Sequence, residues 1–434
     1  MRQPPTGSVL LLGVLFFSVI SAGLFVYLSA AGMLHDKHRG QHLADMAALS
    51  VASWQAQTLN YQAYANRAIV ANELMMAQSL TLLSYVQHVE SLTGQTAQLA
   101  SLWPGFRDFA QVLHATAQAT REVATVATKA EIPFRSGYSH ALLASQTAIH
   151  KALTPFAAQA LVNEAVWSAD RRYFGQTLSV PSNPSFFWAV EQSSPAQQEK
   201  NARFLEGALE PYSQDRSFDS AAWFFPNVGC LPRQASHLLG RLVREGSTRM
   251  STDQSAWIAQ DTLSLHRWRA GGWLRVCRGT RELWPLSWGM AVAASDDRLI
   301  SPASQLTRNP AANLQASTAA EHIQGYLGLT RLHHLTDSNA GVDQTFRVPV
   351  AVRLSREKSK AMDYFYRLSK VERAPQALWS MAVGLTEFRP PRGEHAELSI
   401  ARGTTHLYPF WHARLASPNL AEQAVFGVTT GAGN

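Results

Sequence analysis

No charged residue occurs between Gln3 and Leu34. Within that stretch the run Val9 to Leu28, VLLLGVLFFSVISAGLFVYL, is nearly all apolar. At about 1.5 Å per residue, a helix of this length crosses the ~30 Å hydrocarbon core of a bilayer. The run exceeds the roughly 7–15 residues of a signal-peptide core, so an uncleaved single-pass anchor is expected over residues 1–34. The competing reading is a signal peptide cut near Ala31, where Ser29, Ala30 and Ala31 would suit a peptidase. Arg2 lies on one side of the run and Asp36, Lys37 and Arg39 on the other, a weak charge bias. The expected orientation leaves the N-terminus inside and exports the large C-terminal part.

The helical pattern continues past the anchor. From Gly40 no proline interrupts the chain before Pro104. A stripe at intervals of seven runs through Ala44, Val51, Thr58, Ala65, Asn72, Ser79 and Val86. Its companion row includes Trp54, Tyr61, Met75 and Leu82. Small and large residues alternate, which suits close helix contacts. Trp103-Pro104-Gly105 is a break. Helical spacing resumes from Phe106, Pro133 and Gly137 are expected to break it again, and Pro155 to kink a last helix ending near Asp170. Residues 35–170 thus read as a helical hairpin or stalk.

After Arg171 proline, tryptophan and β-branched residues become frequent. Ser194-Pro195 has the form of an N-cap followed by proline at the first helical position. Trp257–Trp268, the turn Ala270–Gly272 and the run from Trp273 form a hairpin pattern. Further strands are expected from Leu283, Thr345 and Leu378, with Pro349 at an edge or bulge. Ser355–Lys370 reads as a helix and Ser295–Ala319 as a polar loop. The fold class expected is α+β, with residues 171–434 forming a mainly antiparallel sheet domain with helices.

Charged residues make up only 16% of the chain, against about 25% in ordinary soluble domains. The net charge is +7, and the basic residues are mostly arginine. That excess fits contact with anionic lipid or nucleic acid, or simply arginine-rich codon usage. No basic cluster interleaved with aromatics is expected, and nucleic acid is therefore not expected as a partner. Cys230 and Cys277 fit an oxidising compartment, as a disulfide or as two buried thiols.

Motifs that carry chemistry are sparse. There is no G-x-S-x-G, H-E-x-x-H, P-loop or G-x-G-x-x-G. Ser355 and Lys358 fit S-x-x-K without its companions. His333 and His334 with Asp337 lack a fourth metal ligand at motif spacing. His395 and Glu397 form H-x-E with no P-C-x-x-C after them. Asp261, Ser264 and His266 alternate between the faces of a strand and cannot form one triad patch. The expectation is a chain with no catalytic residues, no metal and no cofactor.

The stretch Leu59 to Glu73, LNYQAYANRAIVANE, is helical in spacing yet rich in asparagine. Asn66 shares a face with Glu73, and Asn60 with Arg67, because seven residues make almost two turns. Flanking alanines keep the helix slim. Trp54, Asn60, Asn66, Arg67, Asn72 and Glu73 are the candidate helix-packing residues, forming a hydrogen-bonded seam or an ordinary wet face.

The anchor followed by QHLADMAALSVASWQAQTLNYQAYANRAIVANE resembles the Tad (Flp) pilus-assembly TadE/TadG-like family. The resemblance rests on Ala44-Asp45-Met46-Ala47-Ala48, with further likeness at Pro211–Phe218, Leu242–Met250, Ala259–His266 and Leu407–Leu415. It implies a single-pass bacterial inner-membrane protein with a periplasmic body. Implied partners are the membrane, other pilus or secretion-assembly proteins, and further copies of the chain. Gly7 could mark processing of the pilin type, but the fifth residue after it is Leu12 rather than glutamate. The D-x-S-x-S motif of a metal-dependent adhesive domain is absent. The expected function is non-enzymatic assembly through helix packing. A stalked ligand-binding or adhesive domain is the alternative, and a periplasmic hydrolase a remoter one.

Overall fold

The computed structural model describes residues 7–100, 104–179, 186–188, 190–227, 229–295, 306–335, 345–369, 375–390 and 405–431. The helices used below are α1 (Gly7–Ala100), α2 (Pro104–Ala152), α3 (Pro155–Ala169), α4 (Pro195–Ala208), α5 (Pro310–Thr318), α6 (Lys360–Ser369) and α7 (Leu420–Thr430). The strands are β1 (Tyr173–Thr177), β2 (Phe218–Pro226), β3 (Leu239–Met250), β4 (Ala256–Gly271), β5 (Val276–Ala294), β6 (Glu321–Ile323), β7 (Thr345–Ser355), β8 (Ala377–Phe388) and β9 (Trp411–Ala416). The class is α+β: a long helix with an apolar N-terminal part, followed by largely antiparallel sheets with helices.

The chain divides into two compact units. One takes in Met1–Tyr64, Gln146–Glu191 and His334–Asn434; the other takes in Ala65–Ser145 and Gln192–His333. Each unit combines part of α1 with strands that come much later in the chain.

The first unit holds an antiparallel sheet in the order β1-β7-β8-β9. Leu43, Ala47 and Val51 of α1, with Val162 and Val166 of α3, cover Val350, Val352 and Leu354 of β7. α1 runs along β8. Lys37 Nζ donates to the Trp379 carbonyl, Gln41 Nε2 to that of Met381 at 2.9 Å, and Thr386 Oγ1 to the Ala52 carbonyl at 2.9 Å. Helix residues 37–52 and strand residues 379–386 both span roughly 23 Å, so the two elements stay in step. Between these contacts the Ala48 carbonyl lies against Gly384, at a site where a Cβ would collide with it.

The second unit has the sheet order β2-β3-β4-β5-β6, antiparallel except for the short parallel pair β5–β6. Met76, Leu80 and Leu83 of α1 and Ile132 of α2 pack on Trp257, Ala259 and Ala291. Here too α1 meets a glycine in the strand beneath it: Gly289 of β5 lies against the Ser84 carbonyl.

Several expectations need correction. Pro133 and Gly137 lie inside α2, which is unbroken from Pro104 to Ala152. A proline in a helix interior costs about 3 kcal/mol. Packing offsets it here: Ile132 and Ser139 are buried, and the Pro133 ring sits against Gly325, where any Cβ would collide with the ring. Pro155 does not kink a helix but opens α3, with Thr154 as a cap accepting from the Ala157 amide. Pro310–Thr318 is the helix α5, within the stretch read as loop; its Ala312 and Ala316 are fully buried. Pro349 lies mid-strand in β7 and faces the β1 side, where its carbonyl accepts from the Leu178 amide at 2.8 Å; its missing N–H falls where the β1 ladder ends, next to the Thr177–Val350 pair. Along the stripe, Ala44, Val51, Thr58, Ala65, Asn72 and Val86 are buried, whereas Tyr61, Met75 and Leu82 of the companion row are exposed.

Candidate functional site on the long helix

Asn60 uses both halves of its amide on one residue. Its Nδ2 donates to the Trp411 carbonyl at 3.0 Å, and the Trp411 amide donates to its Oδ1 at 3.0 Å. In the other unit Asn66 treats His333 the same way, at 2.7 and 3.4 Å. A carboxamide carries a donor and an acceptor in the arrangement of a peptide group. Each asparagine therefore acts as one residue of strand mounted on a helix. It satisfies backbone groups that would otherwise be buried at a cost. Ser91 pairs with both backbone groups of Trp288 at 2.8 Å, by its single hydroxyl.

Asn72 turns to a helix. It donates to Ser139 Oγ at 3.2 Å and accepts from Arg135 at 3.3 Å, both on α2. Trp54 is half-buried between two apolar clusters of the first unit. Arg67 is exposed. The seam thus pairs with extended backbone at Asn60 and Asn66 and with a helix only at Asn72.

Glu73 is the chemically distinctive member. It is 1% exposed and lies on the face of α1 packed against β4. Trp257 Nε1 donates to its Oε2 at 3.0 Å, and Tyr326 Oη does so at 3.1 Å. Burial pushes its pKa up to about 7, against the weaker opposite pull of hydrogen bonds from Trp257, Tyr326 and the Thr330 backbone. The group can hold or release a proton near neutrality, but its neighbours Met76, Leu80 and Tyr326 are packed core.

A second buried polar centre follows along the same helix. Asp261 of β4, fully buried, accepts from Arg216 Nε at 2.8 Å and Nη2 at 3.0 Å, from Arg244 at 3.1 Å and from Ser84 Oγ at 2.9 Å. His88 lies one turn on, bonded to Ser287 Oγ at 2.9 Å, its pKa lowered to about 4 chiefly by burial. The sequence pointed to neither group as a site. The signal it carried was an aspartate on the face of the strand that otherwise presents Ala259, Leu263 and Leu265, a position which demands a partner.

In the first unit Asp36 accepts from Ser359 Oγ at 2.6 Å and from Arg172 at 3.5 Å, and Tyr173 Oη donates to its backbone carbonyl at 2.8 Å.

The residues weighed for catalysis are dispersed. Asp261 bonds arginines, Ser264 donates to Glu282 at 2.6 Å, and His266 Nε2 meets Asn309 at 2.8 Å. Ser355 closes β7, and Lys358 is exposed in a short 3-10 turn. Asp337, His395 and Glu397 lie outside the described residues. Among the described residues no group of three or more His, Cys, Asp or Glu side chains is placed to hold a metal ion. A cavity of 210 Å³ in the first unit, lined by Val51, Phe186, Phe187 and Phe346 among others, is smaller than the roughly 300–1,000 Å³ of small-molecule sites.

Two surfaces stand out instead. The side chains of Val9 to Leu28 are almost all exposed. On α2, Phe106, Phe109, Leu113, Val123 and Phe134 are all exposed at spacings that keep them on one side of the helix. Cys230 and Cys277 are joined in a disulfide.

No family model matches the chain, and neither a curated protein nor a solved structure matches it.

Proposed function

We propose that this chain is a non-enzymatic, membrane-anchored component of a Tad-like pilus or secretion assembly. The observation that carries the reading is the helix α1. Its first turns expose an uninterrupted apolar surface long enough for a bilayer, and the same helix continues into folded units whose sheets it covers. An apolar helix surface of this kind is stable in lipid and costly in water. The anchor crosses the bacterial inner membrane once, with the N-terminus cytoplasmic and the bulk of the chain periplasmic. The disulfide accords with an oxidising compartment. The exposed apolar side of α2 supplies a surface for neighbouring helices, from other assembly proteins or from further copies of the chain.

The test has two parts. Alkaline extraction of membranes should leave the full chain in the pellet, and affinity purification from solubilised membranes should recover pilus or secretion-machine proteins. Recovery of a soluble protein beginning near Gly32 would remove the anchor. Retention in the membrane with no assembly protein co-purifying would leave an anchored protein with another task.

A further inference from the structure

No basic cluster interleaved with aromatics was expected from the sequence; at the tip of the β4–β5 hairpin the structure gathers five arginines behind an apolar apex. Arg267 and Arg269 leave along β4, Arg275 lies in the turn, and Arg278 and Arg281 return along β5. All five are exposed. Among the described residues none has an ion-pair partner, and Arg267 stands directly opposite Arg281 across the two strands. Like charges in that register destabilise a hairpin unless an anion lies between them. The one acidic residue of the segment, Glu282, is engaged elsewhere, accepting from Ser264 and from the Ala311 and Ala312 amides.

The apex is apolar. Between the strands stand Gly272, Trp273, Leu274 and Arg275, with Trp273 91% exposed and Leu274 52%. The turn is held firmly. Gly272 and Arg275 take positive φ, and the Arg275 amide donates to the Gly272 carbonyl at 3.2 Å. The Cys230–Cys277 disulfide and two backbone bonds of Leu231, to Arg275 and Cys277, tie the neighbouring loop to the base of the turn. A bulky indole is thus displayed on a rigid support instead of collapsing onto the protein.

We propose that this tip docks on the surface of an anionic lipid bilayer. The order of residues along the hairpin matches the order of layers in a membrane. Trp273 and Leu274 come first and suit the boundary between acyl chains and headgroups, where tryptophan is enriched. Arg275, Arg269 and Arg278 follow within about three strand residues, roughly 10 Å, at the depth of lipid phosphates. A guanidinium binds phosphate oxygens in a fork geometry. Arg267 and Arg281 lie further back, about one Debye length from the phosphate layer, and still feel its potential. A nucleic-acid surface would array its aromatics flat for stacking among the cations; here the apolar residues stand ahead of the cations at a point. The inference holds whether or not α1 anchors the chain.

The full chain in neutral phosphatidylcholine nanodiscs would be mixed with liposomes and floated. Liposomes containing phosphatidylglycerol should carry the discs upward, pure phosphatidylcholine liposomes should not, and high salt should weaken the effect. Trp273→Ser should reduce flotation severalfold, and Arg269→Gln with Arg278→Gln roughly thirtyfold. These positions are exposed, so unchanged thermal melting would certify the fold of each variant. Equal flotation with neutral liposomes, or flotation indifferent to all three substitutions, would overturn the proposal. So would absence of flotation with phosphatidylglycerol liposomes; a gel shift of a single-stranded oligonucleotide would then make the tip a nucleic-acid contact.

Discussion

Trp257 donates its indole N–H to the carboxyl of Glu73 across 184 residues of chain, and the pair is sealed in the core of its unit. The buried carboxyl titrates near pH 7 rather than at its ordinary 4.5. Its pKa is raised in the folded state, so the folded state binds the extra proton. The stability it contributes is therefore complete below pH 4.5 and is lost as pH rises through about 7. Glu73→Gln keeps an oxygen for Trp257 and Tyr326 and removes the charge. The variant should match the parent near pH 4.5 and exceed it by roughly 3 kcal/mol at pH 8. His88 acts in the opposite sense. Its pKa is depressed to about 4, so its contribution is present above 6.5 and lost as pH falls toward 4. The two effects oppose each other between about 4.5 and 6.5, which is why the informative quantity is the gap between variant and parent in urea titrations. A gap that does not change with pH would refute the assignment.

Asp261 tests a different kind of burial. Arg216 and Asp261 are both fully buried and doubly bonded. Removing Arg216 takes away the bidentate partner and leaves Asp261 with only Arg244 and Ser84, so Arg216→Met should cost about 3–5 kcal/mol. Adding Asp261→Asn to that variant should cost much less than it does in the parent, because the bidentate pair it would break is already gone. If the double variant were less stable than the single one by the full cost of a second independent lesion, the two groups would not form one unit.

How much of this was legible beforehand depends on whether the cause was local. The apolar run from Val9 declares itself through composition, and the strands at Leu283, Thr345 and Leu378 through their β-branched and aromatic content. Ser194-Pro195 could be read as a helix start because capping needs only neighbouring residues. Asn60 and Asn66 drew notice as unusual, but their partners Trp411 and His333 are remote in sequence, and a helix partner was the simpler guess. Pro133 misled for the same reason: its tolerance depends on Gly325. The hairpin and its arginines were both readable, yet which arginines of β4 stand beside those of β5 depends on a register with bulges that the sequence does not show. Asp261 needed Arg216 and Ser84, supplied by other elements of its unit.

Gly384 and Gly289 mark where α1 comes closest to each sheet, against the carbonyls of Ala48 and Ser84. Neither glycine has the positive φ that would call for glycine on conformational grounds. Their role is to leave room. Alanine at either position would force helix and strand apart, and overpacking of this kind costs about 1–3 kcal/mol. Gly23→Ala has nothing within reach of its new methyl group and should leave the folded units unaffected. Thermal melts of the three variants decide the matter: equal melting temperatures throughout would mean that the close approach carries no energetic weight.

The Cys230–Cys277 bond encloses a separation of 47 residues. By loop-closure entropy a crosslink of that span stabilises by about 4 kcal/mol. The loop includes β3 and β4, which are paired along their length, so part of that constraint is already imposed by the sheet. A paired replacement, Cys230→Ser with Cys277→Ser, should therefore lower stability by roughly 2–4 kcal/mol. The effect should be concentrated at the hairpin tip. Exchange of the Leu231 and Cys277 amides, which are bonded across the junction at 2.9 and 3.1 Å, should accelerate strongly. Amides in the middle of β4, such as that of Ala259, should exchange at rates set by global unfolding. Unchanged protection at Leu231 and Cys277 would show that the turn stands without its staple.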